Sequence, residues 1–595
     1  MIKNSTKQDE QFDDVSKREL IIRIFSYLKP YKLKVVLVIL LMILVMVCSL
    51  LNPYILKIAI DKYIGASNVV GLAQIAVFMI VFNIISLIAS RIRFNMMASV
   101  TNSALLDIRQ ELYTHIQKLS LNFFDNRPVG KILARVIGDV NSLQDLFTSS
   151  VTNLIPEILT LVFVTIIMFS MNFKLALISI SFLPVLIIGF SCIEIFSRKR
   201  WQVYRSKRSN LNAYTHEDFS GIRIVQSFAS EANTSSIFAN YVKGMMNAFM
   251  NSVRLNDMFW PMVELSWGIG SLLVYWYSVP LIKSGALTIG ELVAFTAYIA
   301  MFWRPIQSIS NFYNSLITNF ASAERIFEIL DIKPNILAIN NAMPMPKIKG
   351  DVQFKNVMFS YDDNVPILNN INFKIKPGET VALVGPTGAG KTTIINLISR
   401  FYDVDSGEIL IDGKNVTHVD IESLRSQMGI MLQDTFLFST TIMENIRYGK
   451  LDATDDEVIA AAIAVSAHSF IMKLTNAYAT EVNERGARLS VGERQLISFA
   501  RALLANPRIL ILDEATSNID TTTEKLVQKG IKKLLFGRTS FVIAHRLSTI
   551  RDCDKIMVID DGRIVESGSH EELLTLKGLY YNLYISQYKF LNEGA

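Results

Sequence analysis

Three short stretches hold residue types suited to phosphate chemistry. Gly385-Pro386-Thr387-Gly388-Ala389-Gly390-Lys391-Thr392, followed by Thr393, is a glycine loop ending in a lysine and a hydroxyl. Glycines let backbone N–H groups turn toward phosphate oxygens, and a helix that starts there adds the positive end of its dipole. Lys391 is placed to meet the outer phosphates and Thr392 to ligate Mg²⁺. The second stretch, RILILDEAT (Arg508 to Thr516), is an apolar run ending in paired acids. Asp513 is suited to hold Mg²⁺ through water, and Glu514 to polarise an attacking water. The third, RLSVGERQ (Arg488 to Gln495), has Ser490 where a helix N-cap belongs and an acid, Glu493, three residues later. That is a capping-box pattern and a second helix start suited to phosphate.

The elements around the glycine loop agree with this chemistry. VQFKNVMFSY and INFKIKPGETVALVG alternate as strands, and the second runs straight into the loop. The pattern TIINLISRFY after it is helical. Strand, glycine loop and helix in that order form the context that identifies a P-loop. Pro334 to Lys349 is Pro-rich and aperiodic and reads as a linker. The expected division is a polar tail at 1–16, a transmembrane domain at 17–330, a linker at 331–349 and a nucleotide-binding domain at 350–595.

The chain has 595 residues, too many for one core, and its 51% of apolar residues crowd the first half. The net charge of +6 is small for this length. Lys and Arg cluster beside apolar runs, so no nucleic-acid surface is read from them. Three scattered cysteines, Cys48, Cys192 and Cys553, exclude a disulfide framework. The first 17 residues carry no signal-peptide pattern. Val35–Leu51, Val69–Ala89, Ile158–Met171, Leu175–Ile193, Met258–Ile282 and Leu287–Phe302 are six candidate membrane spans, of which the third and sixth borrow length from their flanks. Positive charge gathers before the first, after the second and after the fourth. Both termini and both long loops are therefore expected in the cytosol, with the chain in the cytoplasmic membrane.

RELIIRIFSYLKPYK reads as an interfacial helix with Ile21, Ile24, Phe25 and Leu28 on one face and a bend at Pro30. Residues 94–122 and 198–256 read as span helices extended into the cytosol. FFDNRPVG (Phe123 to Gly130) and YTHEDFSGIR (Tyr214 to Arg223) are the expected turns. Glu157 and Glu264 lie toward cytosolic span ends, where interhelical pairing or headgroup exposure is preferred over a cavity for cationic substrates. Aromatics from Phe259 to Trp303 divide between the interface belt and an apolar site.

With these motifs in place the chain resembles an ATP-binding cassette (ABC) exporter half-transporter, six spans fused to one P-loop ATPase domain. The resemblance covers roughly residues 17–590. LSVGE resembles the ABC signature LSGGQ, with Ser490 and Gly492 retained. Tyr361 resembles the aromatic that stacks on adenine, Gln433 the Q-loop glutamine that senses Mg²⁺, and His545 the switch histidine at the γ-phosphate. TEVNERG (Thr480 to Gly486) resembles the X-loop and SNID (Ser517 to Asp520) the D-loop. The two expected turns resemble coupling helices.

The resemblance implies that ATP and Mg²⁺ bind to a site completed by a second half-transporter. Closure of the pair would power export of a small hydrophobic or amphipathic substrate by alternating access. Glu514, His545 and Gln433 are the expected catalytic residues, and Thr392, Gln433 and Asp513 the expected Mg²⁺ ligands, partly through water. Val491 and Glu493 depart from the signature. A carboxylate at 493 adds negative charge beside phosphate, which tips the expected partner toward a different chain over a second copy. The alternative is an ATP-gated channel or regulator, against which the intact Glu514 and His545 count.

Overall fold

The computed structural model describes residues 17–149, 154–334, 342–361, 365–431, 435–483, 486, 488–513, 521–543 and 550–592. It divides into two compact units, Met1–Gln117 with Val129–Ile332, and Lys118–Pro128 with Lys333–Ala595.

Among its described residues the first unit is helical, with short turns between helices. Among the described residues, Lys29–Ile64, Val69–Lys118, Phe173–Ser220 and Glu231–Lys283 are long and apolar enough to cross a membrane, and Ile155–Met171 is a shorter apolar helix. The sixth apolar run opens the helix Ile289–Asp331. All six runs read from sequence thus lie on helices, the fourth crossing a turn at Ser181–Phe182 and the fifth and sixth starting one or two residues before theirs. Large apolar side chains stay exposed along the outer faces, as in Leu40, Val81, Ile84, Ile188 and Leu272, which is the pattern lipid permits and water does not.

The helix Ile289–Asp331 is tied to the end of Lys32–Ile58 and to the elements on either side of it. Pro53 lies inside Lys32–Ile58, where its ring removes one backbone donor. Nearby, the Tyr298 hydroxyl donates to the Leu50 carbonyl at 2.8 Å. Lys57 Nζ donates to Glu291 at 2.8 Å. Asp61 accepts from the Thr288 hydroxyl at 2.6 Å and from Gly290 N–H at 2.8 Å, so a carboxylate sits at the positive end of the helix Ile289–Asp331. Thr288 and Glu291 also form a capping box. At the far end, Arg23 meets Asp331 through two bonds of 2.6 and 2.7 Å.

The structure adds local detail to three expectations. The N-terminal helix Lys17–Ser26 and the turn after it bury Leu20, Ile24 and Leu28 against protein, while Ile21 and Phe25 remain 39% and 37% exposed, as apolar residues on an interfacial face would be. Tyr27 stacks on Phe327 and Arg23 reaches Asp331 beside the buried stripe. The second cytosolic turn begins inside Tyr214–Arg223: the helix continues to Ser220 and breaks at Gly221, and a short helix, Ile222–Ser227, carries the chain to a second break at Phe228–Ser230. Tyr214 stacks on Tyr241 of the returning helix, 5.1 Å between centroids. The linker is shorter than 331–349. Met345 and Ile348 are buried in the second unit's core, and the N–H groups of Met345, Ile348 and Lys349 donate to Ser423, Gln427 and Asp412.

Of the two span acids, Glu157 accepts from Ser308 at 3.4 Å, and Glu264 is exposed. Phe295, Tyr298, Phe302 and Trp303 pack into the core, whereas Trp260, Trp267, Tyr275 and Trp276 face outward.

The second unit holds strands β1 (Val352–Ser360), β2 (Pro366–Ile375), β3 (Thr380–Val384), β4 (Ser406–Ile411), β5 (Lys414–Asn415), β6 (Met428–Met431), β7 (Ile509–Asp513), β8 (Thr539–Ile543), β9 (Lys555–Asp560) and β10 (Arg563–Gly568). One sheet runs β2-β1-β4-β5 and is antiparallel; the other runs β10-β9-β3-β8-β7-β6, parallel except at β10. The parallel strands are continuous apolar runs because both faces are covered, one by helices and the other by the antiparallel sheet together with the helix after the glycine loop. In β8, Ile543 is in register with Leu383 of β3 on one side and Asp513 of β7 on the other.

Outside the apolar runs, Asp139 is the main electrostatic junction of the first unit. It is 7% exposed and accepts from Arg325 at 3.0 and 2.5 Å and from Arg135 at 3.0 Å. Burial alone would raise its pKa, but the hydrogen bonds and charge of Arg325, helped by Arg135, outweigh that and hold the carboxyl below its usual value. A carboxyl lowered on folding stabilises fully above its unfolded pKa of about 3.9 and loses that effect as pH falls through the lower native value. Asp139→Ala should cost about 3 kcal/mol, read as a fall of several degrees in the thermal midpoint in detergent at neutral pH. The gap between variant and wild type should shrink below about pH 4; an unchanged neutral midpoint would refute the junction.

Candidate functional site

Ligands of open α/β sheets sit at the carboxyl ends of the parallel strands. The register through Ile543 brings the ends of β3 and β7 level with one strand between them, a separation of roughly 10 Å. The glycine loop follows β3, and Asp513 ends β7, so both reach the same edge.

The loop's backbone explains its residues. Gly385 has φ 153°, and a Cβ there would lie 2.0 Å from the Ile559 carbonyl oxygen. Gly390 has φ 104° and serves as N-cap of the helix Lys391–Ile398. Any larger residue at either place would move the cradle. Thr387 and Gly388 are exposed on the loop, and Ala389 is buried beneath it.

Lys391 opens the helix and lies back across the loop, donating to the carbonyls of Gly385 at 2.9 Å and Pro386 at 2.8 Å. Burial lowers its pKa, against the opposing pull of the Asp513 charge. A partly buried ammonium beside an exposed hydroxyl, Thr392, and an acid, Asp513, is a donor set that fits a triphosphate with its divalent cation. Thr393 is buried and accepts from the Tyr361 hydroxyl at 3.3 Å, and Asn396 donates to the same hydroxyl at 3.3 Å. Tyr361 itself is 41% exposed, so its ring offers a face to a flat base.

Ser490 is the N-cap of the helix Val491–Leu504 and forms a complete capping box. Its hydroxyl accepts from Glu493 N–H at 3.3 Å, and the Glu493 carboxylate accepts from Ser490 N–H at 2.8 Å. The hydroxyl proton is not used by that bond and can be donated to an anion. Gly492 is buried in the first turn. This helix packs on the helices Ile442–Arg447, Asp455–Ala464 and Thr521–Leu535, whereas the P-loop helix packs on β8. The two phosphate-suited helix starts therefore stand on different elements of the unit. Gln433, Glu514 and His545 lie outside the described residues, as do the D-loop Ser517–Asp520 and Glu484 and Arg485 of the X-loop.

Two supporting residues had no role assigned from sequence. Arg494, inside the stretch Arg488–Gln495, donates to the carbonyls of Gly486 at 3.3 Å and Leu489 at 2.7 Å, fixing the approach to the signature. Tyr402 stands edge-on to Tyr361 at 5.1 Å, and only the fold brings it there.

Comparison with known proteins agrees with the site and the spans. Residues 35–306 match the ABC transporter transmembrane region, and residues 368–517 match the ABC transporter ATPase family. YknV of Bacillus subtilis (strain 168), an uncharacterized ABC transporter ATP-binding protein, is 44% identical over 95% of this chain and 94% of its own. The chain belongs to the ABC exporters. An ATP-dependent lipid A-core flippase of Syntrophus aciditrophicus (strain SB) is 39% identical over 91% of this exporter and 92% of its own length. A bacterial Atm1-family ABC exporter solved with ATP bound superposes with a TM-score of 0.79, at 30% identity, over 93% of this chain and 98% of that one. The exporter hydrolyses ATP to drive transport, and exporters of this kind act as dimers in lipid.

Lys391→Ala removes the one ammonium in the cradle. It should lower ATP hydrolysis by about 10²–10³-fold while the circular dichroism spectrum stays that of wild type. Turnover within a factor of about two of wild type would remove Lys391 from the reaction.

Proposed function

We propose that this chain is one half of a cytoplasmic-membrane exporter whose ATP sites lie between two nucleotide-binding units. The separate mounting of the P-loop and of the Ser490 helix start supports this reading most directly. One unit offers Lys391, Thr392, Asp513 and Tyr361, and the other offers Ser490 and Gly492. Mg²⁺ would be held by Thr392 with Asp513 and Gln433, and would neutralise charge on the outer phosphates. Glu514 would orient and polarise the attacking water, and His545 would contact the γ-phosphate. ATP binds better to the closed pair because only that pair supplies both helix starts. Shifting a pair from mostly open to mostly closed takes about 5.5 kcal/mol of differential binding.

We place the nucleotide-binding unit and both termini in the cytosol on the distribution of Lys and Arg. The cargo is a hydrophobic or amphipathic small molecule. The relatives point the same way: one bears the name of a lipid A-core flippase, and a Mycobacterium tuberculosis relative, 39% identical over 80% of this chain, bears that of a fatty acid transporter.

The partner is a second, different half-transporter. The Glu493 carboxylate supports this, because it places a negative charge on the Ser490 N–H at that half-site, where glutamine would cap without charge. Purification of the tagged chain from its native membrane should bring down a second six-span ATPase in equal amount; recovery of this chain alone, active in ATP hydrolysis and transport, would make it a homodimer. Glu493→Gln keeps a capping side chain, so stability should hold, and it should lower the ATP concentration for half-maximal hydrolysis by about two- to fivefold at low salt. A rise in that concentration would refute the electrostatic argument. Glu514→Gln should retain ATP while turnover drops by about two to four decades, measured as phosphate release in proteoliposomes; near-normal turnover would take the role from Glu514.

A further inference from the structure

Within the second unit, a continuous set of contacts runs from the base-facing tyrosine to the segment Lys118–Pro128. Tyr361 and Tyr402 meet edge to face, 5.1 Å between centroids and 88° between planes. Phe359 closes a triangle with them, 4.9 Å from Tyr361 and 5.7 Å from Tyr402. Edge-to-face pairs are directional, so the plane of one ring constrains the other. The Tyr402 hydroxyl donates to the carboxylate of Asp125. Burial first, and the Asp125 hydrogen bond second, raise the Tyr402 pKa far above its usual value. The phenol therefore stays protonated and is the donor at any physiological pH.

Asp125 closes the short helix Leu121–Asp125. Within that helix Phe123 is buried, 5% exposed, edge-on to Phe124 and under the Arg127 guanidinium at 4.7 Å. Asp125 itself is exposed, so its bond to Tyr402 is the specific tie on that side chain. Chain continuity makes the segment informative: it joins the helices Val69–Lys118 and Val129–Leu133, which belong to the first unit.

We propose that Tyr402 is a positioning residue that couples occupancy of Tyr361 by a purine base to the order of the Asp125 segment. The proposal rests on the reading of Tyr361 as the adenine-facing ring. A base lying on Tyr361 holds that ring's plane; Tyr402 then keeps one orientation, and its hydroxyl stays on Asp125. Coupling of this kind is reciprocal, so the segment affects the base as much as the base affects the segment. It also acts through the base alone. A ligand with the same phosphates and no base is blind to it.

The test uses the full chain in nanodiscs with whatever partner it purifies with. Hydrogen exchange is followed in peptides covering 118–128 without ligand, with Mg–ATP and with Mg–tripolyphosphate. In wild type, ATP should slow exchange there by about fivefold, and tripolyphosphate should slow it by less than about half as much. Tyr402→Phe keeps the ring contact and removes the hydroxyl. It should cancel most of the ATP effect and weaken ATP binding by about three- to fivefold, with tripolyphosphate affinity changed by less than about twofold. Asp125→Asn retains an acceptor oxygen and should restore most of the ATP effect, where Asp125→Ala does not. Equal losses for ATP and tripolyphosphate in Tyr402→Phe would mark a merely structural role and overturn the proposal. So would unchanged ATP-dependent exchange in that variant. Wild type that binds ATP without any change at 118–128 overturns the coupling and leaves the ATP site standing; wild type that binds tripolyphosphate and ATP equally well removes Tyr361 as the base contact and the coupling with it.

Discussion

A triphosphate presents anionic oxygens on every side, and the start of one helix covers only one of them. That constraint orders the second unit. The P-loop wraps the chain's own side of the nucleotide with glycines at φ values that a side chain would not tolerate, and Lys391 lies across it. The opposite side needs another helix start; Ser490 caps one on a different part of the unit, and in the proposed pair such a start comes from the facing unit. The six-stranded sheet exists, in functional terms, to bring the ends of β3 and β7 level. A shift of one residue in either strand would carry Asp513 away from the loop and turn its side chain to the other face.

The capping box gives the signature helix a second physical meaning. A polar residue three places after an N-cap serine completes the box whether it is an acid or an amide. Glu493 is thus interchangeable with glutamine for the stability of this helix and not for its charge. Helix stability and phosphate affinity are separate demands on the same position, and the change at 493 trades only the second.

Features that depend on backbone geometry or on near neighbours could be read from the sequence alone. The glycine loop is such a case, because its function lies in φ angles that glycine tolerates. The box at Ser490 and Glu493 is another, because its partners are three residues apart. The six apolar runs were legible because a helix that faces lipid needs nothing but length and hydropathy. Features set by distant partners were not legible. A helical wheel groups Ile21, Ile24, Phe25 and Leu28, but it does not say that Leu20, Ile24 and Leu28 turn to protein, where Phe327 and Asp331 are the partners of the neighbouring Tyr27 and Arg23. Tyr214 resembles a turn tip by composition, yet Tyr241 holds it inside a hairpin. Met345 and Ile348 sit in a Pro-rich stretch that looks loose until Ser423 and Gln427 take up its N–H groups. Tyr402 has no spacing rule that links it to Tyr361 or Asp125.

The bond between Lys57 and Glu291 spans 234 residues of chain. Ribosomes add about 5–20 residues per second, so Lys57 is made roughly 12–50 s before its counter-ion exists. For that interval the first apolar run must keep an ammonium near its end supplied with water or lipid headgroups, which its long stem allows. The last helix of the first unit to be translated is therefore the one that lets its first long helix settle. The order of synthesis and the order of final docking run in opposite directions at this seam.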